Sequence, residues 1–276
     1  MPKLGFLGPK GTFSHEAANE YLKRKTDYTA HDYASIPEII LAVDRGELDE
    51  AIVPIENSLE GAINVTLDVL AFEVDLMIKA EVVINICPNL LVKKGTDPAN
   101  IKCIVSHPQA LGQCRKYISA NYPGAEVKSA YSTAGAAEAV VNGNGDIAAI
   151  GSLTVAEMYG LDVIASGIQD GYNNMTRFVV LSKTDGIKTG SDKTSIVFST
   201  EDKPGSLYRV LDIFNLWDIN MTRIESRPAK NRLGKYIFFV DIQGHRDDAD
   251  IRDALTMVKR KTSFFKFLGS YPRFEE

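Results

Sequence analysis

Residues 4–22, LGFLGPKGTFSHEAANEYL, indicate how the N-terminal part of the chain folds. A short apolar run at 4–7 ends in a turn rich in glycine and proline, and a helical pattern of apolar residues follows from Phe13. Further apolar runs of strand length recur along the chain, at 51–54, 82–86, 90–92, 101–105 and 147–150. Strands that alternate with helices predict an α/β domain whose sheets are mainly parallel.

Several helix boundaries can be predicted from residues that favour helix ends. Ser35 and Glu38 have the spacing of a capping box, so a helix is expected to begin there and to end at Gly46. A helix that follows Ser152 is expected to end at Gly160 for the same reason.

Polar clusters follow several of the predicted strands, at 8–14, 56–58, 106–113 and Ser152. In open α/β sheets, ligands bind beyond the carboxyl ends of the strands. The helices that begin there would offer free N–H groups to an anion. The pattern therefore predicts a site for a small acidic molecule, without identifying that molecule.

Two of these clusters have an equally ordinary structural interpretation. Residues 8–14 do not match a phosphate-binding loop, and a capped turn between a strand and a helix would explain them as well. Residues 56–58 could cap a helix that is predicted at 63–72.

The other reactive side chains do not indicate a familiar catalytic site by themselves. Ser106 precedes His107 but lacks the surroundings of a catalytic serine. Cys114 is typical of a small buried apolar residue. Arg177 stands at the entrance of a strand, where it could bind a carboxylate ligand or pair with an acidic side chain of the protein.

The composition is that of a folded soluble protein. The 276 residues are 45% hydrophobic and 24% charged, with a net charge of -5, whereas nucleic-acid-binding proteins usually carry a basic surface. The sequence contains no apolar run of the roughly 18 residues that span a membrane, and its N-terminus lacks the apolar core of a signal peptide. Three cysteines without C-x-x-C spacing predict a reduced, cytoplasmic protein, and the histidines lack metal-ligand spacing.

The C-terminal part reads as a second folded unit. Residues 183–192 are polar and contain glycine, which is typical of a linker. After them, the sequence predicts the order βαββαβ, with a hairpin turn at 231–234. This order is the ferredoxin-like arrangement, and about 80 residues suffice for a separate core. We therefore expect two domains, at 1–185 and 194–276.

Considered together, the polar clusters resemble the motifs of prephenate dehydratase in their order and spacing. These motifs read GPKGTFS at 8–14, PIENS at 54–58, SHPQAL at 106–111 and NMTRF at 174–178. In the C-terminal part, GSL at 205–207 and INMTRIESRP at 219–228 resemble the ACT regulatory domain that is attached to that family. The resemblance covers nearly the whole chain. Since no chorismate mutase helices precede residue 1, it is to the monofunctional form.

The resemblance implies a two-lobed catalytic domain, similar to periplasmic binding proteins, followed by a ferredoxin-like ACT domain. It implies a lyase of phenylalanine biosynthesis that removes carbon dioxide and a ring hydroxyl from prephenate to give phenylpyruvate. Because formation of the aromatic ring drives this reaction, neither a cofactor nor a metal ion is expected. The resemblance also implies feedback regulation by phenylalanine and assembly into homodimers or homotetramers.

Roles for individual residues follow from the same resemblance. Thr176 would be the main catalytic residue, a positioned hydrogen-bond donor, with Glu56 and Asn57 beside it. The residues implied in substrate binding are Thr12, Ser14, Ser58, Ser106, Gln113, Arg177 and Phe178. From the chemistry of the reaction, and not from the resemblance, we further expect Arg177 and the backbone amides of 12–14 to hold the pyruvyl carboxylate. The residues implied in phenylalanine binding are Gly205, Ser206, Leu207, Asn220, Glu225, Ser226 and Arg227.

Three alternatives remain at this stage. Arogenate dehydratase performs the same chemistry on the amino form of the substrate, and these motifs separate the two activities poorly. A solute-binding protein with a sensor domain is disfavoured by the missing signal peptide and by the Thr-Arg-Phe cluster. An ACT-containing regulator would need a helix-turn-helix or a basic face, which the sequence lacks. One stretch also departs from the family pattern: some members carry an acid near 127–131, where this chain reads VKSAY.

Overall fold

The structure is a computed structural model that describes residues 1–23, 25, 27–171, 174–230 and 234–274. The predicted hairpin turn at 231–234 lies largely outside these residues. Within them, two sheets belong to two lobes, and a third sheet is formed near the C-terminus. No helix in the described ranges is long and apolar enough to cross a membrane.

The first lobe is a sheet covered by helices on both faces. Its strands are β1 (Lys3–Leu7), β2 (Thr29–Tyr33), β3 (Glu50–Asn57), β4 (Gly61–Ala62), β5 (Met77–Asn85) and β11 (Met175–Ser182). Its helices are α1 (Phe13–Leu22), α2 (Ile36–Asp44) and α3 (Asn64–Phe72). The strand order is β2-β1-β3-β11-β5, and β4 pairs with β3.

The second lobe is formed by the chain between β5 and β11. Its strands are β6 (Asn89–Val92), β7 (Cys103–Ser106), β8 (Glu126–Ser129), β9 (Ile147–Gly151) and β10 (Asp162–Ala165), in the order β10-β6-β9-β7-β8. Its helices are the 3-10 helix Pro98–Asn100, α4 (Pro108–Gln113), α5 (Arg115–Asn121), α6 (Thr133–Asn142) and α7 (Leu153–Tyr159). The chain therefore crosses between the lobes twice, and a cleft lies between them.

The prediction of mainly parallel sheets is wrong. β1 runs parallel to β2 and β3, but β11 runs antiparallel to both β3 and β5. In the second sheet, β7 is parallel to β8 and β9, whereas β6 is antiparallel to β9 and β10. In the first sheet, the reason is that β11 returns from the second lobe and enters in the opposite direction, whereas in the second sheet it is the direction of β6. An apolar run does not encode that direction.

Alternation along β1 explains how helices pack on both faces of the first sheet. Leu4 and Phe6 are fully buried with Ala17 of α1 in one core cluster. Gly5 points to the other face, where an added Cβ would come within 2.9 Å of Ile39 of α2. Burial of each large apolar side chain stabilises the lobe by about 1.5–3 kcal/mol.

The helix ends that the sequence predicts are confirmed. The hydroxyl of Ser35 accepts a hydrogen bond from the backbone N–H of Glu38 at 3.4 Å, which caps α2. Gly160 ends α7 in the left-handed region, at φ 63°. Cys114 is fully buried, as predicted, and this burial raises the pKa of its thiol to about 12.

The C-terminal unit has the predicted βαββαβ order. Its elements are β12 (Asp192–Ser199), α8 (Ser206–Leu216), β13 (Met221–Pro228), β14 (Tyr236–Gln243), α9 (Ala249–Lys261) and β15 (Phe264–Pro272). The sheet order β13-β14-β12-β15 confirms the ferredoxin-like arrangement. One face of this sheet forms a core with α8 and α9, to which Phe198 and Val240 contribute.

The other face of the third sheet packs on the first lobe. Phe239 and Tyr271 belong to the same buried cluster as Ile78 of β5 and Val179 of β11. The linker is also tied down, because the N–H of Gly186 donates to the carbonyl of Ser270 at 2.7 Å. The regulatory unit expected from the sequence is therefore joined to the first lobe by an apolar core.

Candidate active site

A cavity of about 260 Å³ opens in the cleft between the two lobes. The first lobe contributes the loop after β1, the start of α1 and the adjacent strands β3 and β11. The second lobe contributes α4 and the start of α6. These walls meet beyond the carboxyl ends of parallel strands, where ligands bind in α/β folds.

Thr176 and Asn57 form a hydrogen-bonded pair in the wall of this cavity. They are direct partners on the neighbouring strands β11 and β3, and Asn57 Nδ2 donates to Thr176 Oγ1 at 2.9 Å. Asn57 Oδ1 accepts from the backbone N–H groups of Leu59 and Glu60, at 3.0 and 3.1 Å, which fixes the direction of its amide. Because Thr176 Oγ1 accepts this bond, its own hydrogen remains available to a ligand in the cavity.

A chain of amide side chains connects this pair to the second lobe. Asn174 accepts a hydrogen bond from Asn57 at 2.9 Å and donates to Gln113 Oε1 of α4 at 2.9 Å. Gln113 Nε2 in turn donates to Glu60 at 3.3 Å. Asn174 was not among the predicted site residues, although it begins the NMTRF segment. It is only 2% exposed, and a buried amide needs such partners.

Two helix N-termini, one from each lobe, border the cavity. Thr12 caps α1 by accepting from the N–H of His15 at 3.4 Å, and Ser132 caps α6 in the same way. Ser14 and Thr133, in the first turns of these helices, line the cavity. Helix N-termini favour negative charge, so this end of the cavity suits a carboxylate.

Glu56 and Arg177 lie on the side of the sheet that faces away from the cavity. Side chains alternate along a strand, so Asn57 and Thr176 face the cleft while their neighbours in sequence face the opposite side. Glu56 therefore does not lie beside the hydroxyl of Thr176, where the sequence had predicted it. Its carboxylate lies 3.6 Å from Arg177 Nη1 instead.

Arg177 is bound by acidic side chains at the contact between the first lobe and the C-terminal unit. Its guanidinium donates to Glu81 at 2.7 Å, to Asp241 at 2.6 Å and to the hydroxyl of Tyr271 at 2.7 Å. Burial alone would lower the pKa of Arg177, but these partners raise it well above its ordinary value. The prediction that Arg177 grips the substrate carboxylate is wrong, because its donors are used on the other side of the sheet.

Comparison with known proteins decides the family. The family model described as Prephenate dehydratase matches residues 4–186, and the ACT domain model matches residues 194–256. The chain belongs to the prephenate dehydratase family. Prephenate dehydratase is a carbon–oxygen lyase, which makes the cavity between the lobes the candidate active site.

Relatives that match nearly the whole of this chain support this assignment. A prephenate dehydratase of Methanocaldococcus jannaschii is 41% identical over 276 residues, which cover 97% of this chain and 97% of that protein. A bifunctional chorismate mutase/prephenate dehydratase of Aquifex aeolicus is 41% identical over 98% of this chain and 74% of its own length. The crystal structure of a prephenate dehydratase from Arthrobacter aurescens, in complex with L-Phe, has a TM-score of 0.88 at 36% identity, covering 98% of this chain and 90% of that one.

Two serines of the prephenate dehydratase motifs stabilise the walls of the site. Ser106 is fully buried and donates to the carbonyl of Ile150 at 2.6 Å, which joins β7 to β9. Ser58 accepts from the N–H of Met175 at 2.9 Å. The described residues that line the cavity do not include either serine. Ser58 also does not cap α3, because Ile63 occupies that position.

One side of the cavity is apolar, and the sequence motifs predicted only some of its residues. Phe178, which was predicted to contact substrate, lines it and is 2% exposed. Ile63 and Ile86 line the cavity as well, although neither was predicted. Tyr131 lines it with a fully exposed side chain, in the stretch where this chain departs from the family pattern. An apolar wall beside two helix N-termini suits a ring that carries carboxylates.

The residues predicted to bind phenylalanine do not all line the same cavity of the ACT domain. Gly205, Ser206 and Leu207 line a second cavity of about 370 Å³, together with Tyr236 and Phe238 of β14. The described lining of that cavity does not include the other four predicted residues, Asn220, Glu225, Ser226 and Arg227.

Arg227, which was predicted to bind phenylalanine, binds an acidic side chain of the first lobe. Its guanidinium binds the carboxylate of Asp68 on α3, with Nη2 at 3.0 Å from Oδ2. The ACT domain therefore also contacts the first lobe through an ionic pair that is separate from those of Arg177.

Proposed function

We propose that this chain converts prephenate into phenylpyruvate in the cavity between its two lobes. The observation that supports this most directly is the Thr176 hydroxyl, which accepts from Asn57 and keeps its hydrogen for a ligand. Arogenate is disfavoured, because the relatives described above are named for prephenate.

In this proposal, Thr176 assists the departure of the ring hydroxyl. The bond to the ring carboxylate breaks, its electron pair completes the aromatic ring, and the C–O bond breaks with its pair on the leaving oxygen. A donor placed at that oxygen stabilises the charge that develops on it in the transition state. Threonine is too weak an acid to give up its proton fully, so the hydroxide leaves hydrogen-bonded to Thr176 and becomes water by taking up a proton supplied by the buffered solvent.

The two substrate carboxylates need different treatment. The carboxylate that leaves as carbon dioxide must not be stabilised strongly, because that would favour the ground state. The pyruvyl carboxylate can be held firmly. Ser14 and Thr133, at the two helix N-termini, are the residues that would bind it. The ring would then lie against Phe178, whose side chain lines the apolar wall.

The activity is tested by incubating the purified chain with prephenate at neutral pH and following phenylpyruvate, with arogenate as a parallel substrate. We expect turnover of prephenate. Turnover of arogenate alone would identify the alternative activity. Tight binding of prephenate without turnover of either substrate would instead indicate a solute-binding protein.

Phenylalanine is the effector that we propose for the ACT domain, in a homodimer or homotetramer. The support is the match to the ACT model and the L-Phe named with the Arthrobacter structure. The cavity at Gly205, where φ is 77°, is the place in this chain where a small ligand could approach the backbone closely. The composition and cysteine content favour a cytoplasmic location.

We expect Leu207→Ala to raise the phenylalanine concentration for half-inhibition about tenfold, since loss of a contacting apolar side chain weakens binding by about 1–3 kcal/mol. Leu216→Ala provides the matched control, because Leu216 lies at the other end of α8 and is 70% exposed. Inhibition curves for both variants test this. Equal shifts would place the effector elsewhere.

A further inference from the structure

The side of the sheet behind Thr176 contacts the ACT domain through charged groups. On the ladder between β3 and β11, Thr176 pairs with Asn57, and the next pair is Arg177 with Glu56. The first pair faces the cavity and the second faces the ACT sheet. Each residue of the Thr176–Asn57 pair thus has a backbone neighbour that contacts the regulatory domain.

We propose that Glu56 and Arg177 are positioning residues, through which the ACT domain sets the geometry of the Thr176–Asn57 pair. The proposal rests on the proposed function, since it assigns a regulatory input to the same hydroxyl. It also gives the Arg of the Thr-Arg-Phe segment a role other than substrate binding.

The ACT domain supplies a partner for each positioning residue. Asp241 of β14, which is 3% exposed, accepts from Arg177 at 2.6 Å and from Ser195 at 2.5 Å. Glu56 Oε2 lies 3.5 Å from Nε of Arg223, on β13. The contact between Arg177 and Asp241 is short and buried, and such a contact transmits displacements because closely packed interiors do not deform freely.

Arg223 gives this contact two possible arrangements. Its side chain is only 8% exposed, and within the described residues its Nη1 and Nη2 are buried without a hydrogen-bond partner. A buried guanidinium with free donors is costly, and a carboxylate can satisfy two of them at once. Glu56 is 38% exposed and can therefore turn from Arg177 towards a two-bond contact with Arg223.

The same strand connects this contact to the effector cavity. Tyr236 and Phe238 of β14 line the cavity, and Asp241 lies three residues further along that strand. Asp241 also pairs directly with Arg223 in the ladder between β13 and β14. A ligand that shifts β14 would move both partners of the positioning residues, which is the differential contact that coupling requires.

An ionic contact between the domains that lies away from the Thr176 ladder serves as a control. Asp68 of α3 binds Arg227, and Lys230 lies 3.0 Å from the same carboxylate. The described lining of the active-site cavity does not include Asp68. Asp68→Asn weakens the contact between the domains without touching the ladder that holds Thr176.

The experiment compares Arg223→Met, Asp241→Asn and Asp68→Asn with the wild-type chain. It measures kcat, KM for prephenate and inhibition by phenylalanine, well below the unfolding temperature of each variant. For the first two variants we expect kcat to fall about tenfold, because small displacements of a catalytic group are costly, with KM within about twofold. Inhibition should weaken in both. Asp68→Asn should keep wild-type kcat and inhibition.

Other outcomes would overturn the proposal. Wild-type kcat and inhibition in either folded variant, Arg223→Met or Asp241→Asn, would show that the positioning pair is not involved. The same losses in Asp68→Asn would assign the effect to the domain contact as a whole. If the wild-type chain itself does not turn over prephenate, the proposed function fails first and this inference fails with it.

Discussion

Thr176→Val is expected to lower kcat for prephenate about a hundredfold or more, which is the usual effect of removing one donor that stabilises transition-state charge. Valine keeps the shape of the side chain and suits a strand, so only the hydroxyl is lost. Asn57 would still donate to Asn174 and to the carbonyl of Met175, at 2.9 and 3.3 Å. The substitution therefore leaves the surrounding hydrogen bonds satisfied, and steady-state kinetics would report the missing donor alone.

Thr176→Ser is the matched control, because it keeps the hydroxyl and removes a methyl group. We expect it to retain most of the wild-type kcat. If valine at position 176 were tolerated while serine was not, the methyl group rather than the hydroxyl would matter. In that case, the role of Thr176 as a donor would have to be abandoned.

Arg177→Met is expected to reduce the free energy of unfolding by about 3–5 kcal/mol, since removal of one partner leaves buried charges uncompensated. Asp241 would lose its 2.6 Å partner, while Glu81 would keep Lys193 at 2.9 Å. Urea titration followed by circular dichroism measures the loss. We expect the substitution to lower the urea concentration at the unfolding midpoint and to leave KM for prephenate largely unchanged.

Lys188→Met is a control for the loss of any ion pair. Lys188 binds Asp248 at 2.5 Å, but its side chain is 46% exposed, and exposed pairs contribute little. Its unfolding midpoint should stay close to that of the wild type. An Arg177→Met variant with an unchanged midpoint and a strongly raised KM would restore Arg177 to the substrate site.

The sequence predicts the local elements well, because their signals are local. The Ser35 cap and the left-handed Gly160 lie at the helix ends where the pattern placed them. The βαββαβ order of the C-terminal domain was also predicted correctly, because the spacing of apolar residues within each segment indicates whether that segment is a strand or a helix.

The residues that form the site were predicted less completely, because their positions depend on the pairing of strands that are far apart in the sequence. Thr176 and Asn57 are 119 positions apart, and their contact exists only because β11 returns beside β3. Strand alternation alone would have separated Arg177 from Thr176, and Glu56 from Asn57. It could not reveal which face borders the cleft, since that depends on where the second lobe and the ACT domain pack.

The position of β11 in the first sheet also has a consequence for biosynthesis. This strand lies between β3 and β5, yet it is translated after the entire second lobe. Until it emerges from the ribosome, β3 and β5 lack their shared neighbour and present unpaired edges, which are prone to aggregation. The second lobe can fold during synthesis, whereas the first must wait for residues 175–182. The catalytic threonine thus arrives on the same strand that completes the lobe.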